Sequence, residues 1–79
     1  MRLYLGGFFT FYLPSQQRKL HWLDIELTHT MPLSAILQRL GIPEAEVHLV
    51  ALNGEQVNVE TAVIRDTDVL RIFSSVNGG

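Results

Sequence analysis

The residues of this chain best suited to chemistry are its last two, Gly78 and Gly79, which end in a carboxylate. Glycine averages about 7% of protein residues, so a pair in the final two positions is unusual. A terminal glycine pair packs nothing and costs backbone entropy, so it does little for a folded domain. A slim tail of this kind fits a narrow active site in another protein. We expect the Gly79 carboxylate to be the reactive group.

Other polar residues offer weaker candidates. His21, His29 and His48 lack the close spacing that puts two ligands on one helix face or across one turn, so we predict no metal site. Asp66 and Asp68 belong to a polar turn, where aspartates usually hydrogen-bond the backbone, and we predict a structural role for them. The sequence has no nucleophile with its base and no phosphate-binding glycine loop. The chain is therefore predicted to be acted upon by other proteins and not to be an enzyme.

Composition narrows the class of protein further. The 79 residues suffice for one small domain, and 47% hydrophobic with 18% charged residues is typical of a globular chain. A net charge of −2 with six Lys and Arg argues against nucleic-acid binding. There is no cysteine, no apolar run long enough to span a bilayer, and no small-residue cleavage site after the apolar opening. We expect a cytoplasmic protein without a membrane partner.

Alternating hydrophobicity predicts an N-terminal hairpin. Residues 2–13 are interpreted as a first strand, with Gly6-Gly7 marking a bulge or bend inside it. A polar turn at residues 14–18 leads to a second strand within residues 20–27. The apolar odd-numbered residues of the first strand are Leu3, Leu5, Phe9, Phe11 and Leu13.

A single helix is predicted after the hairpin. Residues 28–31 form a loop, and Pro32 suits the first helical position because its missing N–H needs no partner there. Gly41 is expected to end the helix in a left-handed conformation, and Pro43 prevents its continuation. The apolar stripe of this helix is Leu33, Ile36, Leu37 and Leu40.

The C-terminal half predicts further strands. Residues 47–52 form a third strand that is closed by the tight turn Asn53-Gly54, and residues 56–59 form a short return strand. Residues 69–73 make the last strand, entered through the turn at residues 66–68.

This order of elements predicts an α+β fold of the β-grasp (ubiquitin-like) type. It has a four- to five-stranded mixed sheet with one main helix packed on one face. The helix stripe is expected to meet Leu23, Ile25 and the odd-numbered residues of the first strand. We assign residues 1–73 to the domain and residues 74–79 to a flexible Gly-Gly tail.

The opposite sheet face is predicted to be aromatic. If odd residues of the first strand face the core, then Tyr4, Phe8 and Tyr12 face the other way, and Leu20 and Trp22 join them. Such a patch often marks an interface. Small sheets also expose some apolar atoms without function, and a bulge at the glycine pair would exchange the two faces. Both readings stay open from the sequence.

Taken in order, these motifs resemble the MoaD/ThiS family of ubiquitin-like sulfur carrier proteins. The resemblance rests on the hairpin, the helix end at residues 37–42, the Asn53-Gly54 turn, residues 64–69 and the tail at residues 73–79. The tail is most similar to that of the small subunit of molybdopterin synthase, which reads Phe-Pro-Pro-Val-x-Gly-Gly. Here Ser74-Ser75 replace the two prolines.

The resemblance implies a mechanism. A ubiquitin-activating-type adenylating enzyme consumes ATP to activate Gly79, and a persulfide donor then converts the adenylate to a thiocarboxylate. The sulfur passes to an acceptor such as the large subunit of molybdopterin synthase, in molybdenum cofactor biosynthesis. Gly78 lets the backbone pass through the partner, and Phe73 and Val76 seat in apolar pockets. The sheet face docks through Tyr4, Phe8 and Trp22, and no cofactor is bound to the chain itself.

Two other functions remain compatible with the sequence. A ubiquitin-like modifier would transfer the activated Gly79 to a lysine amine instead of accepting sulfur. A non-catalytic β-grasp binding module would use the sheet face alone. The sulfur acceptor also stays open among molybdopterin synthesis, thiamine thiazole formation, tRNA thiolation and amino-acid or siderophore pathways.

Overall fold

The computed structural model describes residues 1–13 and 21–74, apart from the side chains of Phe8 and Phe11. Within these residues the chain forms seven strands, one α-helix and two 3₁₀ helices. In chain order the strands and helix are β1 (Arg2–Leu5), β2 (Trp22–Asp24), β3 (Met31–Pro32), α1 (Leu33–Leu40), β4 (Val47–Leu52), β5 (Glu55–Val57), β6 (Val63–Ile64) and β7 (Val69–Ser74). The 3₁₀ helices span Gly7–Tyr12 and Glu44–Glu46.

Five strands form the main sheet in the order β2-β1-β7-β4-β5. The first and last strands, β1 and β7, are parallel neighbours, whereas the other pairs are antiparallel. Strands β3 and β6 form a separate two-residue antiparallel pair. The mixed five-stranded sheet with one α-helix confirms the predicted α+β, β-grasp fold.

The core lies between α1 and one face of the main sheet. Leu3 and Leu5 of β1 and Leu70 and Ile72 of β7 have no solvent-exposed surface, because alternate residues of neighbouring strands share a face. The predicted helix stripe is confirmed, with Leu40 as its half-buried edge. The other residues buried in the same cluster are Met1, Phe9, Leu13, Leu27, Leu33, Ile36, Leu37, Ile42, Val50 and Ile64, and Leu23 and Ile25 pack against it.

The helix ends as predicted but begins one residue later. Pro32 has extended backbone angles (φ −66°, ψ 148°) and is the last residue of β3, so it caps α1 instead of opening it. The pairing of β3 with β6 holds Pro32 extended, which a periodicity argument does not reveal. Gly41 ends the helix with φ 76°, and its N–H bonds to the carbonyl of Gln38.

The prediction of one strand over residues 2–13 is wrong. Strand β1 ends at Leu5, and Gly7 has φ +64°, which turns the chain into a 3₁₀ helix. The alternation of apolar residues therefore does not continue to Leu13 as a strand. Tyr12 consequently does not join Tyr4 on the outer face. It packs near Phe9 against the core, and its hydroxyl donates a hydrogen bond to Glu46.

Other strand boundaries differ less. Strand β4 matches its prediction, and β7 extends one residue further, to Ser74. Strand β5 starts at Glu55, because the two-residue turn brings Glu55 directly opposite Leu52. Strand β2 stops at Asp24, although the predicted hairpin pairing with β1 is confirmed.

Backbone pairing with the first strand continues to Ile25, whose N–H bonds to the Met1 carbonyl, and the chain leaves the ladder after it. The Leu27 N–H bonds to the carboxylate of Asp66 and not to a neighbouring strand. Residue Leu20 and the turn at residues 14–18 lie outside the described residues. Among the helices that the structure describes, none has the length and apolar character to cross a membrane.

Candidate functional site

The candidate site is the face of the main sheet that points away from α1, here called the outer face. Tyr4 of β1 lies opposite Trp22 of β2 and Arg71 of β7. Phe73 has the same parity as Arg71 along β7, so its side chain lies on the same face. The sheet register thus brings together three of the aromatic residues predicted to bind a partner, Tyr4, Trp22 and Phe73.

The aromatic rings form one continuous cluster centred on Tyr4. Its ring centroid lies 5.1 Å from that of Trp22 and 5.8 Å from that of Phe73, both in tilted arrangements. On another side the Tyr4 ring stacks with His21 at 5.7 Å and an interplanar angle of 28°. These separations are typical of favourable aromatic pairs. Trp22 is 38% exposed, so the cluster presents apolar surface to solvent.

Two guanidinium groups lie against the same indole. The Cζ atoms of Arg2 and Arg71 are 5.0 Å and 5.3 Å from the Trp22 ring centroid, within the range of cation–π contacts. Within residues 1–13 and 21–74, no carboxylate makes an ion pair with either arginine. Arg71 also lines a groove of about 250 Å³ together with Tyr4, Trp22 and Phe73. The outer face therefore combines an apolar groove with two guanidinium groups, and Asp24 lies opposite Arg2 on the same face.

The root of the predicted tail packs against the glycine pair. The N–H of Gly6 donates to the carbonyl of Ile72 over 2.8 Å, which continues the β1–β7 pairing one residue past β1. A Cβ on Gly6 would stand 2.6 Å from Cδ1 of Phe73, and a Cβ on Gly7 would overlap Oγ of Ser74. The ring of Phe73 and the side chain of Ser74 occupy the space that these two glycines leave open.

The remaining predicted site residues are not placed. Gly79, Gly78 and Val76 lie outside the described residues, as does the rest of the tail after Ser74, and the side chain of Phe8 is likewise not described. Their roles remain predictions. What the structure gives is the starting point of the tail, at the end of a central strand and beside the aromatic cluster.

The turn at residues 66–68 has the structural role predicted for it. Asp66 Oδ1 accepts hydrogen bonds from the Leu27 N–H and the Met1 ammonium, at 2.8 Å and 3.1 Å, and these bonds lower the pKa of the Asp66 carboxyl. Burial opposes ionisation of Asp68, yet hydrogen bonds from the Asn53 amide and the Arg65 N–H leave its pKa lowered. Both carboxylates hold loops together and do not point to acid–base chemistry.

The histidines lie apart. The Nδ1–H of His21 donates to the Leu5 carbonyl over 2.9 Å, because a carbonyl can only accept. His29 bonds to its neighbour Thr28, and His48 is exposed on β4. In the part of the chain that the structure describes, no three His, Asp or Glu side chains are grouped so that they could hold a metal ion.

Sequence reasoning missed several residues of this site. Arg2 and Arg71 have the same strand parity as Tyr4 and Phe73, so strand alternation alone would have placed them on the outer face. No pattern in the sequence predicted the contact between Gly6-Gly7 and residues 73–74. It depends on the parallel register of β1 and β7, which joins segments far apart in the sequence.

Comparison with known proteins adds one finding. The model of the ThiS family matches residues 12–79, which is most of the chain and includes its last residue. A comparison with curated proteins gives no match.

Proposed function

The chain belongs to the ThiS family, whose members are small sulfur carriers and not catalytic enzymes, and on this basis we propose that Gly79 carries sulfur as a C-terminal thiocarboxylate. The family match itself carries the proposal, because it continues through the tail to residue 79.

The reaction proceeds in two steps on partner enzymes. A carboxylate oxygen of Gly79 attacks the α-phosphorus of ATP, the new O–P bond forms, and the bond to pyrophosphate breaks. The product is an acyl-adenylate. A persulfide sulfur then attacks the acyl carbon, AMP leaves with the oxygen, and a second thiol of the donor system cleaves the resulting S–S bond. The thiocarboxylate remains on Gly79, and the donor is left as a disulfide.

The domain supplies position and not catalysis in this scheme. Tyr4, Trp22 and Phe8 dock the adenylating enzyme, Phe73 and Val76 seat in apolar pockets, and Gly78 passes through the channel to the nucleotide. The clustering of Tyr4, Trp22 and Phe73 around one groove supports this assignment, since aromatic side chains and arginines are enriched at protein interfaces.

We assign the sulfur to molybdopterin synthesis as the first pathway to test. The support is the spacing of Phe73, Val76 and the final glycine pair, which resembles the tail of the small subunit of molybdopterin synthase. In this assignment the thiocarboxylate enters the large subunit of that enzyme as its sulfur source.

The decisive experiment measures sulfur on the protein. The chain is incubated with ATP, an adenylating enzyme of a sulfur-carrier system and a persulfide donor, and its intact mass is determined. We expect one oxygen to be replaced by sulfur, with the product alkylated by iodoacetamide. Deletion of Gly79 should abolish the change and leave the fold intact, while Ser75→Ala serves as a tail control. Conjugation of Gly79 to lysine amines without any sulfur incorporation would instead establish a modifier.

A second assay addresses the pathway. Thiocarboxylated protein is divided between the large subunit of molybdopterin synthase with its pterin precursor and a thiazole synthase with its own precursor. We expect loss of sulfur from the carrier and product formation only in the first mixture. Transfer only in the second would place the chain in thiazole synthesis and leave the carrier function standing.

A further inference from the structure

The glycine pair after β1 packs against the last two residues of β7, Phe73 and Ser74. Gly6 has φ −90° and ψ 163°, angles that any residue adopts, so its backbone does not require glycine. The reason for glycine is space. A Cβ there would stand 2.6 Å from Cδ1 and 3.1 Å from Cε1 of Phe73, so the ring could not keep its place.

Gly7 is constrained in two ways. Its φ of +64° is in the left-handed region, where side chains are disfavoured, and a Cβ would overlap Oγ of Ser74 and lie 3.2 Å from its Cβ. Ser74 is the last residue of β7 and the last one described before the tail. The glycine that turns the chain out of β1 therefore also borders the place where the tail leaves the sheet.

We infer that Gly6 and Gly7 are positioning residues for the C-terminal tail. Gly6 leaves the space in which the ring of Phe73 lies on the outer face, and Gly7 positions Ser74, the last described residue before the tail. This inference rests on the proposed function, because it assigns the pair a role in delivering Gly79 to the adenylating enzyme. In this inference Gly6-Gly7, near the start of the sequence, help to position the terminal pair Gly78-Gly79.

The parallel pairing of β1 with β7 makes the positions of Phe73 and Ser74 sensitive to any side chain added at Gly6 or Gly7. Gly6 is tied to β7 through its hydrogen bond to Ile72, so a side chain on Gly6 displaces the ring of Phe73. At Gly7, rotation of the Ser74 hydroxyl removes the overlap with Oγ, but Cβ of Ser74 stays 3.2 Å from the new side chain. Small misplacements of a reacting group reduce rates strongly, and a shift of about 1 Å can cost a hundredfold.

The test uses the full chain and ATP–pyrophosphate exchange by the adenylating enzyme of the source organism, purified by its exchange activity with the wild-type chain. We expect Gly7→Ala to lower kcat about tenfold or more while KM stays within about threefold, because the tail is misdirected and the docking face is kept. Gly6→Ala should raise KM, because it displaces Phe73 from that face. Gly6→Ala adds no backbone strain, so it tests the inference even if Gly7→Ala fails to fold.

Two controls separate positioning from a general loss of stability. Gly41→Ala places a side chain at an equally left-handed position (φ 76°) with no atom within 4 Å of the new Cβ, and its kinetics should match the wild type. Adding Ser74→Gly to Gly7→Ala removes the overlapping hydroxymethyl group and should restore most of kcat, with Ser74→Gly alone as reference.

The outcomes are distinct. The positioning role would be overturned if the wild-type chain is active and both Gly6→Ala and Gly7→Ala keep kcat and KM within about twofold of the wild-type values. That result would leave the carrier function intact. An equal loss in Gly41→Ala would also overturn it. A wild-type chain that never supports exchange or gains sulfur would contradict the proposed function instead.

Discussion

Tyr4 and Phe73 lie on the adjacent parallel strands β1 and β7, with ring centroids 5.8 Å apart. Through this contact the aromatic cluster of the outer face reaches the C-terminal end of β7, which leads to the tail. A partner that covers the cluster therefore touches the tail's root as well. In the proposed function, docking and delivery of the carboxylate would therefore both involve the ring of Phe73.

Truncation of that ring should weaken the complex without unfolding the domain. Phe73 is only half-buried, so we expect Phe73→Ala to remain folded and to raise the Kd for the adenylating enzyme about tenfold or more. Titration calorimetry gives the Kd. Val63→Ala is the matched control, because Val63 is 52% exposed on β6, outside the main sheet. Equal affinities for the two variants would remove Phe73 from the interface.

The arginines on the outer face predict the charge of the partner. Arg71 makes no ion pair with the described residues, so we expect carboxylates on the adenylating enzyme to face it. Arg71→Glu should slow association markedly at low salt, and the difference from wild type should shrink at high salt as charges are screened. Stopped-flow association at two ionic strengths measures this. Arg39→Glu makes the same charge change on α1, and a similar slowing by that variant would show only a net-charge effect.

Asp66 should make the stability depend on acid pH. Its folded pKa lies below the ordinary value of 3.8, so the unfolded chain binds this proton more tightly than the folded protein does. The contribution is therefore complete above 3.8 and disappears as the pH falls through the folded value. Asp66→Asn should lower the free energy of unfolding at pH 7, with a deficit that narrows below pH 3.8.

Urea denaturation across this pH range measures the effect. The exposed Glu55 of β5 supplies the control substitution Glu55→Gln, which removes a carboxylate without touching the turn. A deficit of the Asp66 variant that stays constant from neutral to acid pH would contradict the role of the ionised carboxylate.

The core should tolerate little loss of volume. Leu37 is 1% exposed in α1, and Leu37→Ala should lower the free energy of unfolding by about 2–5 kcal/mol, a large part of the stability of so small a domain. Leu40→Ala makes the same change at the half-buried edge of the same helix and should cost clearly less. Chemical denaturation measures the free energy of unfolding of both variants. Equal decreases in the two would contradict the described packing of the apolar helix stripe.

The sequence predicted best where a pattern and a stop signal agree. Strand β4 ends at a tight turn, and α1 ends at Gly41, so periodicity and turn chemistry fixed the same boundary. The first strand was predicted too long because its odd-numbered residues are apolar up to Leu13 with Gly7 as the one break, although the chain turns into a 3₁₀ helix at Gly7. Strands β3 and β6 have two residues each, which is too short for any periodicity.

The candidate site was predictable one strand at a time. Alternation placed Tyr4 and Trp22 on one face, and the position of Phe73 before the tail marked it as a contact residue. No local pattern in the sequence predicted that β1 and β7 are paired neighbours in the sheet. That pairing brings Phe73 to Tyr4 and Ser74 to Gly7, across a separation of more than sixty residues.

The central place of β7 also has a mechanical consequence. The strand is hydrogen-bonded to β1 on one side and to β4 on the other, and its C-terminal end leads to the tail. A force applied to the end of β7 along the strand axis loads both ladders in shear, so their hydrogen bonds must fail together instead of opening one at a time. Each bond contributes only about 1 kcal/mol, but in this geometry they resist jointly. In the proposed function, this geometry would let the domain resist unfolding while a partner binds the tail.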